Sequence, residues 1–263
     1  MKIAFFDIDG TLTSEKDGKV PESAKEAIRK ARQAGNLMFI NTGRCFQNVE
    51  PRFREVGFDG YVNGCGTHIM IGDETLFYLT QPAERIREVI RLSRELNMDT
   101  LYECRYYVTF DPQHTLRHPG AIRQRDSFLR RNYDIAMNVD DPDFTCDKFV
   151  IWYADDSQLR EIRKYTDKYF ECIDRGGTLR EFVPIGYSKA TGIRMVLDHY
   201  NLPLENAYAF GDSNNDEAML SYVDHSIVMG NSESEELLKK ATLVTKKASE
   251  DGLAEALLSL GFI

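Results

Sequence analysis

No two of the five cysteines, Cys45, Cys65, Cys104, Cys146 and Cys172, stand close enough to form a CxxC pair. An odd, scattered set gives no disulfide framework and predicts free thiols in a reducing cytoplasm. The five histidines show no HExxH-type ligand spacing, so ordinary core or surface places are expected for them. No stretch approaches the ~20 apolar residues of a membrane span. The short apolar run at the start ends in acids, unlike a signal peptide. Positive charge is also scarce: 33 Lys and Arg face 42 Asp and Glu, a net charge of -9. Surfaces for nucleic acid or anionic membranes are basic, so neither partner is expected. Repeats, low-complexity tracts and flexible linkers are missing too.

What remains is an ordinary globular composition, 42% hydrophobic and 29% charged, over 263 residues. That length suits about two domains. The chain is organised around its first twelve residues, MKIAFFDIDGTL. Ile3 to Phe6 form an apolar run that suits a strand buried on both faces of a parallel sheet. Residues two apart on an extended chain point the same way, so Asp7 and Asp9 aim into one space at that strand's carboxyl end. Open α/β sheets bind ligands there. Two unit charges at ~4 Å repel by roughly 4 kcal/mol at an effective dielectric of ~20. A divalent cation, or a proton on one carboxylate, must offset that.

Downstream, Pro21 to Ala34 reads as a helix, Leu37 to Ile40 as a strand ending in Asn41-Thr42-Gly43-Arg44, and Gln47 to Val56 as a short helix interrupted by Pro51. Gly60 to Asn63 reads as a third strand. This alternation predicts βαβ units on a parallel sheet. The middle of the chain differs. A helix over 82–96, a strand over 101–110, a helix or loop over 121–133, a strand over 148–153, a helix over 158–170 and two strands around Gly176-Gly177 predict an α+β module. From Ser188 the first pattern returns: a helix over Lys189 to Tyr200, then a strand over 207–210 ending in GDSNND, then alternating short helices and strands. One α/β domain split by an insertion is the simplest organisation, with the core over 1–80 and 186–263 and the inserted domain over 81–185.

Asp7-Ile8-Asp9-Gly10-Thr11, Thr42-Gly43, Lys189 and Gly211-Asp212-Ser213-Asn214-Asn215-Asp216 each stand at a strand end or helix start. Taken singly, they have ordinary uses: Thr42 as a helix cap, Lys189 as a surface charge, Gly211-Asp212 as a turn. As a set in this order they resemble the haloacid dehalogenase (HAD) superfamily. The long insertion and Val62-Asn63-Gly64 resemble its Cof-like type IIB sugar phosphatases. The resemblance covers essentially the whole chain, closely in the core motifs and loosely in the insertion. Asn41 and Cys65 depart from it, standing where small apolar residues are expected.

The resemblance implies a Rossmann-like doubly wound parallel sheet with an inserted α+β (type IIB) cap. It implies an Mg²⁺-dependent phosphatase of small phosphate esters, most of all sugar phosphates, acting in the cytoplasm through an aspartyl-phosphate. Asp7 is then the nucleophile and Asp9 the general acid and base, a role that asks for a protonated carboxyl. Asp7, the Asp9 main-chain carbonyl and Asp212 are the implied Mg²⁺ ligands, with Asp216 behind them. Thr42, Gly43, Lys189 and Asn215 would hold the phosphoryl oxygens, and the inserted module would select the substrate. A phosphomutase of the same superfamily is the alternative, and a non-catalytic phosphate-responsive regulator a more distant one.

Overall fold

The computed structural model describes residues 1–263. In chain order the elements are β1 (Ile3–Phe6), α1 (Glu22–Gln33), β2 (Leu37–Asn41), α2 (Pro51–Arg54), β3 (Gly60–Asn63), β4 (His68–Ile71) and β5 (Glu74–Tyr78). Then come α3 (Ala83–Glu95), β6 (Asp99–Glu103), β7 (Val108–Phe110), α4 (Pro119–Arg130), β8 (Lys148–Trp152), α5 (Asp156–Thr166), β9 (Phe170–Asp174) and β10 (Leu179–Pro184). The chain closes with α6 (Lys189–Tyr200), β11 (Ala207–Gly211), α7 (Glu217–Tyr222), β12 (His225–Val228), α8 (Glu235–Lys240), β13 (Leu243–Val244) and α9 (Gly252–Ser259).

Two compact units form, one from 1–43, 49–77 and 187–263, the other from 44–48 and 78–186. The first carries an eight-stranded sheet in the order β13-β12-β11-β1-β2-β3-β4-β5. Its strands run parallel from β13 to β3, and β4 turns back antiparallel to β3. β1 lies at the centre, which is why all four of its residues are buried and none is polar. Ile193, Val196 and Leu197 of α6 pack with Phe5, Phe39 and Val62 of the sheet. Gly192 permits that closeness, since a side chain there would run into Val62.

The second unit carries a five-stranded antiparallel sheet, β7-β6-β8-β10-β9. α3 and α5 contribute Ile86, Val89, Ile90 and Ile162 to one core with Phe149, Ile151 and Phe182. Phe149 and Phe182 stack with ring centroids 4.7 Å apart. A second core sets Phe128 of α4 with Leu101, Phe110 and Trp152. Between the strands lies Lys148, 2% exposed, with Glu181 at 2.5 Å and Glu103 also in contact; Arg175 Nε donates to the far oxygen of Glu181 at 2.7 Å.

Two local readings are corrected, and one hairpin is added. Pro51 opens α2 instead of interrupting a helix, because a proline at the first helical position forfeits no hydrogen bond. The 101–110 segment is two strands of a hairpin, closed by Cys104 N–H donating to the Tyr107 carbonyl at 2.9 Å. The hairpin of β4 and β5 is unanticipated; β5 is half-exposed, and Glu74 and Thr75 weaken its apolar pattern. All five cysteines carry free thiols. No helix is long and apolar enough to cross a membrane.

Candidate active site

The carboxyl ends of β1, β2 and β11 and the amino end of α6 bring four distant segments together. Asp7 follows β1 directly, and its amide donates to the Phe210 carbonyl at 3.0 Å, which fixes it beside β11. The chain then makes one tight turn over Ile8–Leu12. Gly10 permits that turn: its φ is +80°, and any side chain there would run into the Asp212 carboxylate. Thr11 leaves the turn with its hydroxyl donating to Asp212 Oδ1 at 3.0 Å.

Lys189 is the first residue of α6. Ser188 caps that helix and pairs reciprocally with Thr191. The Lys189 Nζ lies 2.5 Å from Asp7 Oδ1 and 2.6 Å from Asp216 Oδ1. Asp216 uses its other oxygen to accept from the amides of Asp212, at 3.0 Å, and Ser213, at 3.1 Å. Both of its oxygens are thereby engaged. Thr42 is buried where β2 ends, its amide donating to Val62 and its carbonyl accepting from Cys65. Asn215 accepts from the Ser213 hydroxyl.

Asp7, Asp212 and Asp216 place carboxylate oxygens within 4.8 Å of one another. One ammonium faces three carboxylates, so the cluster holds excess negative charge. Burial, then the Asp216 and Asp9 charges, push the Asp7 carboxyl up to about 6 against the pull of Lys189. Burial, then Asp216 and Asp7, push Asp212 up to about 7. Burial works against the Lys189 ammonium, but Asp216 and Asp7 more than reverse this and hold it above its ordinary range. An all-oxygen donor set whose carboxyls lean toward protonation fits a hard divalent cation. The Asp9 side chain is exposed and stands outside the three-aspartate group, but with Gly10, Asp212 and Asn231 it lines one cavity of about 670 Å³.

Three contributors lie outside the residues given a role in the site from sequence. Thr11 orients Asp212, as described. Asn231, after β12, donates to the Gly10 carbonyl at 2.8 Å and accepts from Ala248, tying a third strand end to the acidic turn. Asn41 donates to the Lys189 carbonyl at 3.0 Å, so a residue that departs from the expected pattern anchors the start of α6. Asn231 was findable, since it too follows the carboxyl end of a parallel strand. Four cationic or imidazole side chains of the second unit have partners within that unit. His114 meets Asp99 at 2.8 Å, His118 caps α4, Arg175 holds Glu181, and Arg180 meets Asp174 at 2.9 Å.

A family model described as haloacid dehalogenase-like hydrolase matches residues 4–257. The chain is 27% identical over 269 residues to YkrA of Bacillus subtilis strain 168, a protein with a provisional phosphatase name, covering 100% of this chain and 98% of that one. It is 25% identical over 264 residues to 5-amino-6-(5-phospho-D-ribitylamino)uracil phosphatase YitU of the same organism, covering 95% and 94%. The solved structure of the HAD subclass IIB sugar phosphatase BT4131 matches with a TM-score of 0.82 over 100% of both chains. Its 24% identity makes that a likeness of fold.

Proposed function

Because the chain belongs to the haloacid dehalogenase-like hydrolase family, we propose that it is a phosphatase of small phosphorylated metabolites, most of all sugar phosphates, dependent on Mg²⁺. The observation that carries this reading is the buried contact of Lys189 with both Asp7 and Asp216, beside Asp212. A structural ion pair needs one carboxylate; here one ammonium meets two, with a third beside them, and a cation is the economical partner for the surplus.

Asp7, Asp212 and the Asp9 main-chain carbonyl would hold Mg²⁺, which supplies positive charge to the phosphoryl oxygens. Lys189 engages Asp7 Oδ1 and leaves Oδ2 as the attacking oxygen. That oxygen bonds to phosphorus as the ester oxygen departs, giving an aspartyl-phosphate. Asp9 protonates the departing oxygen, then takes a proton from the water that attacks phosphorus and frees Asp7. Exposure suits Asp9 to this exchange, since it must meet both leaving group and water. Lys189, the Thr42 hydroxyl, the Gly43 amide and Asn215 hold the phosphoryl oxygens, which is most of what phosphoryl transfer asks of a protein. Asp216 holds Lys189 and the turn after β11 in place.

A phosphate-ester panel assayed for released phosphate tests the reading. Turnover with Mg²⁺ is expected, abolished by EDTA and reduced by at least about a hundredfold in Asp7→Asn. Full activity of Asp7→Asn would overturn the assignment of Asp7. Transfer of the phosphoryl group to a second hydroxyl without phosphate release would replace the phosphatase by a mutase.

A further inference from the structure

On the first unit, away from the aspartate cluster, a cavity of about 440 Å³ opens beside α1. Its charged lining is Lys19, Lys25, Arg29 and Arg52 against one acid, Glu55, while Val20 and Val56 supply the apolar part. In a chain with a net charge of -9, four cations around one hollow run against the overall balance.

Three of the four cations are weakly committed elsewhere. Lys25 and Arg29 lie one turn apart on α1 and share a single carboxylate, Glu22, at 2.9 and 3.9 Å. Glu22 is 74% exposed and outside the lining. Lys19 reaches Asp17 only at 4.0 Å. Arg52 is held more firmly: its Nε and Nη2 meet the two Glu50 oxygens at 3.1 and 3.2 Å, and Nη1 donates to the Gly18 carbonyl at 2.8 Å, which fixes the guanidinium at the rim of the cavity. The exposed pairs of Lys19, Lys25 and Arg29 contribute about 0–1 kcal/mol each, so an entering anion exchanges them at small cost. Like charges at i,i+4 on a helix repel, and an anion between Lys25 and Arg29 relieves that. The floor is firm: Val20 is 7% and Val56 2% exposed.

We propose that this cavity binds a small organic phosphate, its dianionic head among Lys25, Arg29 and Arg52 and its apolar body on Val20 and Val56. Guanidinium groups match phosphate oxygens in pairs, and the volume suits a ligand of metabolite size. The lining joins three segments: the Ser14–Lys19 turn, α1 and the end of α2. That turn, closed by Ser14 N–H donating to Lys19 at 2.8 Å, directly follows the tight turn that carries Asp9. The proposal does not depend on the phosphatase reading.

Titration calorimetry with phenylphosphonate, which has no ester bond to cleave, tests it on the full chain in EDTA. Without a cation the aspartate cluster repels the probe, leaving the basic cavity as its site. One equivalent is expected to bind, at least tenfold more weakly to K25Q/R29Q and severalfold more tightly to E55Q, both variants melting as the wild type does. A gain in E55Q cannot come from misfolding. No binding to the wild type, or equal affinity in all three proteins, would overturn the proposal.

Discussion

Lys189 and Asp7 stand 182 residues apart in the chain and 2.5 Å apart in the structure, and neither is more than 5% exposed at its side chain. Removing the ammonium would leave Asp7 and Asp216 buried and uncompensated, which typically costs about 3–5 kcal/mol. Lys189→Met is therefore expected to lose at least about a hundredfold in turnover and also to unfold at lower urea. The stability loss should be smaller at pH 5 than at pH 8, because protonation of Asp7 removes one of the two opposing charges. Urea midpoints at the two pH values check this.

The raised carboxyls make a second prediction, of the same sign, for the intact chain. A carboxyl with its folded-state pKa above the unfolded value binds more protons when folded, so stability falls as pH rises through the window between them. For Asp7 that window runs from 3.8 to about 6, and for Asp212 from 3.8 to about 7. In EDTA, stability should decline from pH 4 to pH 7 by on the order of 3 kcal/mol from Asp7 alone, and the melting temperature with it. Added Mg²⁺ should raise the melting temperature more at pH 7 than at pH 5, where the proton competes with the ion. A cation effect independent of pH would contradict binding at these carboxylates.

Gly10 joins the turn to the aspartate cluster. Gly10→Ala forces a side chain into a left-handed φ and toward Asp212. A stability cost of about 1 kcal/mol or more is expected. The larger effect should be on Mg²⁺: the concentration for half-maximal activity should rise at least tenfold, with far-ultraviolet circular dichroism unchanged.

In the second unit, Lys148 compensates two buried carboxylates. Burial resists the charge on Glu181, but Lys148 and Arg175 outweigh it and hold that carboxyl at about 2. For Glu103 burial prevails over Lys148, and its carboxyl sits above the ordinary range. Lys148→Met is expected to destabilise this unit by about 3–5 kcal/mol, and less once Glu103 and Glu181 are also made apolar. Trp152, the one tryptophan of the chain and 7% exposed, reports it by fluorescence during urea unfolding.

Much of the parallel sheet was legible because its central strands are largely apolar and end abruptly in polar motifs, as at Phe6-Asp7 and Phe210-Gly211-Asp212. α6 was legible to the residue, Lys189–Tyr200, because a serine cap precedes it and Ile193, Val196 and Leu197 keep helical spacing. Less was legible where the signal is tertiary. Asn41 looks like a misplaced polar residue until α6 is seen to begin above it. Lys148, on an apolar strand, reveals its carboxylate partners only when β6 and β10 flank β8. The candidate site was readable as a set of motifs, whereas the burial that raises Asp7 and Asp212 could not be read from residue types.

The most direct test concerns the bond that Asp7 is proposed to form. Asp9→Asn should slow the attack of water more than the attack of Asp7, so a phosphorylated enzyme should accumulate with a reactive phosphate ester and Mg²⁺. Acid quenching, digestion and mass spectrometry are predicted to find one phosphoryl group on the peptide from the start of the chain, at Asp7. If the wild type releases phosphate while neither it nor Asp9→Asn carries a phosphoryl group on Asp7 at any quench time, the account is contradicted.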